Sequence, residues 1–171
     1  ACLAETGTRL ETWQHPYHLA CLTHGVLLEW RCPYCHAEPF AKPTWLAHDG
    51  TPTACHDFID TPSGRRYRDR CGTQLSETPT MEAHPDLLAG QEWLWSVIES
   101  AAREEQVAVA GFDVPAATAY EAAAEIITEN TLDPNVSDIR FAEQHGLHVA
   151  HLLLTQSSLR DAASLTAEAR G

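Results

Sequence analysis

All six cysteines of this chain, Cys2, Cys21, Cys32, Cys35, Cys55 and Cys71, fall within its first 71 residues. Cys32 and Cys35 stand at C-x-x-C spacing in the stretch RCPYCH. Two thiolates on one tight turn fill two corners of a metal tetrahedron, and the turn's own N–H groups can point at the sulfurs. A redox pair would sit in a strand–helix setting of the thioredoxin kind, and no such pattern surrounds the motif. The stretch RCGTQL places Gly72 after Cys71, the return half of a ribbon, and Cys55 is the natural remaining ligand. A zinc site is therefore expected at Cys32, Cys35, Cys55 and Cys71, with His56 the rival of Cys55. The stretch CLTH sets Cys21 and His24 at C-x-x-H spacing, again that of a metal knuckle. With Cys2 they make three ligands of a second zinc site, whose fourth ligand is not evident.

A closed set of four cysteines leaves no position for a reacting water, so the expected zinc ions are structural and no enzyme activity is expected. Neither H-E-x-x-H nor the H-x-E with P-C-x-x-C of the zinc deaminases occurs. The opening residues lack a basic stretch followed by an apolar one, and no apolar run approaches the roughly 20 residues that cross a membrane. Zinc is accordingly expected over disulfides, and the cytoplasm as the compartment.

The character of the chain changes near residue 80. Residues 1–78 are rich in Cys, His, Pro and aromatic residues with poor periodicity, as in a small module held by metal in place of a large core. Residues 79–171 are rich in Ala, Glu and Leu. The expected fold is mainly α with small zinc-ribbon and zinc-knuckle elements: a tandem zinc-finger module over 1–78 and an acidic helical domain over 79–171. HPDLLAGQEWLWSVIESAAREEQ reads as one helix with Pro85 in its first turn. VPAATAYEAAAEIITENT reads as a second, with Pro115 at its start. VSDIRFAEQHG reads as a third, with Ser137 as N-cap and Gly146 just past its end. SSLRDAASLTAEAR gives a fourth. FAEQHGLHVAHLL has a faint helix-turn-helix look, but it lacks the Lys and Arg of a recognition helix. Trp95 shares the apolar face of the first helix; Trp93 points elsewhere, towards a partner protein or the zinc module.

Charge divides along the same line. Residues 1–82 carry 7 Lys and Arg against 10 Asp and Glu, and residues 83–171 carry 4 against 14. The second half should repel nucleic acid and suit a basic protein surface. SGRRYRDRC, with Arg65, Arg66, Tyr67, Arg68 and Arg70, is the basic cluster of the chain, able to meet phosphates and to stack on a base.

Taken together, Cys2 and Leu3, Trp13, Cys21, His24 and Gly25, Leu28, Cys32 and Pro33, Cys35, and Cys71 with Gly72 resemble the zinc-finger part of the TniQ family. The resemblance covers residues 1–75. By that pattern the chain begins inside a first C-P-x-C, which leaves its first zinc site short of a ligand. HDFIDTPSGRRYRDR then looks like an insertion between Cys55 and Cys71, where the family often has C-x-C-G. The resemblance implies a non-catalytic adaptor in DNA transposition. Such an adaptor links target recognition, by DNA binding or through an RNA-guided complex, to an AAA+ transposition regulator. The alternative on the same fingers is a DNA-binding transcriptional or recombination regulator.

Overall fold

The computed structural model describes residues 2–6, 13, 15–29, 31–38, 53–59, 69–131 and 139–168. About half of these are helical, so the fold is only loosely a mainly-α one. The chain divides into two compact units, one of residues 1–16 with 26–82 and one of residues 17–25 with 83–171.

The first unit is built from short pieces. A one-turn helix, α1 (Cys2–Thr6), packs against a 3-10 turn at Leu75–Glu77. Strand β2 (Val26–Leu27) receives residues 81–82, with the Leu27 N–H donating to the Met81 carbonyl. Strands β3 (Phe58–Ile59) and β4 (Asp69–Arg70) pair antiparallel, Phe58 opposite Arg70 and Ile59 opposite Asp69. Backbone hydrogen bonds carry this pairing on towards the 3-10 turn. Cys71 donates to Asp57, Cys55 donates to Thr73, Gly72 donates to Cys55, and Leu75 donates to Thr53.

The second unit is helical. Helix α2 (Pro85–Ala102) begins at His84, whose Nδ1 accepts the Asp86 N–H, and Pro85 fills the first helical position. It stops at Ala102, short of the sequence expectation, because residues 106–115 form a hairpin. Strand β5 (Gln106–Val109) pairs with β6 (Phe112–Pro115), Val109 opposite Phe112. The two connecting residues, Ala110 and Gly111, have φ of 47° and 83°. A two-residue turn with positive φ at both positions matches the right-handed twist of the strands it joins. Only glycine fits at 111, since a Cβ there would run into the Ser157 carbonyl oxygen.

Helix α3 (Ala116–Thr131) follows directly on Pro115, and α4 (Ile139–Leu154) packs against it and against α2. Their buried faces supply Leu87, Leu94 and Val97 from α2, Ala119, Ala123 and Ile127 from α3, and Ala142, Leu147 and Ala150 from α4. Gly146 lies within α4 and does not end it. A Cβ there would stand 2.9 Å from Ile127 Cα, so this glycine serves the close approach of two helices. The same continuity removes the helix-turn-helix reading of this stretch. Helix α5 (Leu159–Glu168) is the fourth expected helix. Ser137 lies outside the described residues. Trp93 is half-buried, its ring 5.9 Å from that of His151 on α4, and so packs within its own unit. Among the described residues no helix is long and apolar enough to cross a membrane.

Residues 17–25 belong to this helical unit. His18, Leu19, Ala20 and Cys21 are buried; strand β1 (Ala20–Cys21) lies among them. The Gln91 side chain of α2 is 1% exposed, and its Oε1 accepts the Leu19 N–H at 2.7 Å and the Ala20 N–H at 3.4 Å. The His18 ring meets Trp95 edge-on at 5.0 Å. A buried amide thus ties the chain just before Cys21 to the helical core.

Candidate metal centre

Cys32 and Cys35 sit on a turn closed by two backbone hydrogen bonds: His36 donates to Cys32, and Cys32 donates to Ala37. His36 takes a positive φ of 59° to make that return, a conformation His tolerates better than most side chains. Cys55 and Cys71 come from the two chains of the β3–β4 hairpin. Residues alternate between faces along an extended chain, so Cys55 and Asp57 share a face. With Cys55 paired to Thr73 and Cys71 to Asp57, the two cysteines lie diagonally on the same side. Gly72, directly after Cys71, has φ of 68°, and its N–H turns to the Cys55 carbonyl.

These two elements bring four thiols together. Among the described residues, Cys32, Cys35, Cys55 and Cys71 form the one group of three or more potential ligands, their sulfurs all within 4.8 Å of one another. Cys32 Sγ lies 3.6 Å from Cys71 Sγ, and Cys35 Sγ lies 3.6 Å from Cys55 Sγ. A disulfide would bring sulfurs to about 2.05 Å. Thiolates at the corners of a tetrahedron, each about 2.3 Å from a central ion, stand about 3.8 Å apart. The spacing therefore fits one tetrahedral metal ion and not a bonded pair. Cys55 contributes to the group; His56, its neighbour, is buried outside it. The Thr73 hydroxyl lies 3.0 Å from Cys71 Sγ and can donate to its thiolate.

The electrostatics agree with a cation-binding set. Burial raises the thiol pKa of Cys32, but backbone N–H groups of Cys35 and Tyr34 and the neighbouring thiols donate to it, and the balance falls at about 7. Burial pushes Cys35 and Cys55 up, and the other thiols add to that rise at Cys55. Four thiolates at this spacing repel one another, and a divalent ion is what lets them shed their protons together.

Scans against protein families, curated proteins and solved structures gave no match.

The other expected ligands are placed less fully. Cys21 Sγ lies 3.3 Å from His24 Nδ1, on a turn closed by the Gly25 N–H donating to the Cys21 carbonyl, with Gly25 at φ 63°. The C-x-x-H spacing thus brings its two candidate ligands to one point. The Cys2 side chain lies outside the described residues, as do Arg65, Arg66, Tyr67 and Arg68. Arg70 is described: its guanidinium carbon lies 5.4 Å from the centroid of the Phe58 ring. Phe58 had no place in the sequence reading, because the signal that marks it is its register opposite Arg70, which only the pairing supplies.

Proposed function

We propose that this chain is a zinc-stapled, non-catalytic adaptor of the TniQ type, linking recognition of a DNA target to an AAA+ transposition regulator. The observation that supports the reading is the group of four thiols at tetrahedral spacing, three of which, Cys32, Cys35 and Cys71, stand in the motifs that resemble that family. Zinc is the ion that suits four thiolates without redox chemistry. Cys32, Cys35, Cys55 and Cys71 would hold it, and Cys21 and His24, with Cys2, would hold a second. Four protein ligands leave no coordination site for substrate, so the ion contributes folding free energy in place of catalysis. The acidic helical unit, with 4 basic against 14 acidic side chains over 83–171, would face a basic protein surface.

Three measurements test this reading. Elemental analysis of the purified chain should find one or two zinc ions per molecule; none would sink the metal assignment. Capture of an AAA+ ATPase by the tagged chain supports the adaptor. Salt-dependent binding of the chain alone to one defined duplex, with no ATPase captured, favours a DNA-binding regulator.

A further inference from the structure

Phe58 is an aromatic residue left 44% exposed on the hairpin that carries two of the four thiols. It stands directly opposite Arg70, so both side chains rise from the same face of the β3–β4 pair, and the guanidinium lies over the ring at 5.4 Å. An arginine held on an aromatic face is a fixed planar cation beside a partly open π-surface. Nucleobases stack on such rings and on guanidinium planes, while the charge meets the phosphate that accompanies each base. The sequence between the two strands carries three further arginines, Arg65, Arg66 and Arg68, against Asp60. Asp57 and Asp69 flank the pair, and Asp57 Oδ1 already accepts the Phe58 N–H. The net balance is weakly positive, which suits a ligand held by stacking more than by charge.

We propose that Phe58 and Arg70 form a stacking site for an unpaired base of single-stranded nucleic acid. The proposal rests on the DNA-targeting function proposed above and on the nucleic-acid contact expected from the arginine-rich stretch, and it names the form of nucleic acid and the residue that reads it. A base within a duplex has no free face to offer Phe58, so an unpaired one is required.

The test is fluorescence anisotropy of a labelled oligo-dT and of a labelled duplex of equal length, titrated with the full 171-residue chain across a salt series. Expected are tighter binding of the single strand, and a weakening of about tenfold or more in Phe58→Ala, the size of one lost base stack. The salt slope of Phe58→Ala should stay unchanged, because the ring carries no charge. Phe58→Trp should retain binding and show tryptophan quenching on addition of oligo-dT, a readout that survives if the alanine variant folds poorly. Tyr34→Ala, which removes a still more exposed aromatic (67%) on the other ligand-bearing turn, should bind as the unaltered chain does. The proposal is overturned if the Phe58 variants bind oligo-dT unchanged, if Tyr34→Ala loses as much, or if the duplex binds more tightly with no dependence on Phe58. These outcomes leave the nucleic-acid role of the arginines standing. Absence of binding to either oligonucleotide removes both.

Discussion

At Cys55 two neighbouring side chains compete for one coordination position, and spacing alone does not choose between them. Both are buried, but the hairpin register turns Cys55 towards Cys35 and leaves His56 outside the group. Cys55→Ala should therefore cost the chain the metal of this site and the order of the hairpin, while His56→Ala should keep the metal, both read by elemental analysis and circular dichroism. Gly72 has a different kind of necessity. Among the described residues, its two chain neighbours aside, no atom lies within 4 Å of where its Cβ would be, so its φ of 68° is what resists substitution. Gly72→Ala should destabilise by about 1–2 kcal/mol, the cost of a left-handed L-residue, without any steric clash. Chemical denaturation of the metal-loaded chain measures it. Gln91 holds two backbone N–H groups with one oxygen. Gln91→Leu keeps the bulk and should cost about 1–3 kcal/mol through the buried donors it leaves unpaired.

Among the elements, α3 and α4 show how a helix signal can mislead. Gly146 carries the mark of a helix end in sequence, yet α4 runs through it because the helix needs a bare backbone opposite Ile127. Gly146→Ala sets about 1 kcal/mol of helix propensity against a backbone contact that cannot yield, and overpacking of that kind costs about 1–3 kcal/mol. A net loss is expected, seen as a lower thermal midpoint; a rise would mean the helices can part freely. The β5–β6 hairpin went unread for the opposite reason. Its valines alternate and its turn is a two-residue one, but Glu104 and Glu105 extend the helical pattern of α2 up to its edge. What separates the two is the chain reversal at Arg103–Glu104, where Glu104 takes φ of 56°.

For the whole molecule, the four-cysteine site and the titration of His151 should act on different units. With zinc held by the four thiols as proposed, chelation should speed amide exchange over residues 53–59 and 69–75, while the buried amides of α2–α4 stay slow. The helical unit should answer to pH through His151. Burial lowers its pKa from 6.5, His148 adds to that, and Asp86 opposes it. The unfolded chain therefore takes the proton first. Stability is unaffected above about pH 6.5, falls as pH drops below that value, and levels once the folded-state pKa is passed. His151→Gln should flatten that decline in urea unfolding followed by helix content; an unchanged slope would assign it to other groups. The sequence by itself determined the candidate ligand types, their knuckle spacings, the acidic helical half and most helix starts, because these depend on neighbours within a few positions. Only the tertiary structure decided that Cys55 completes the four thiols, that residues 17–25 join the helical unit through Gln91, that Gly146 lies inside a helix, and that Phe58 faces Arg70. Each of those depends on a partner far along the chain, and a register or close approach exists only once the two segments have met.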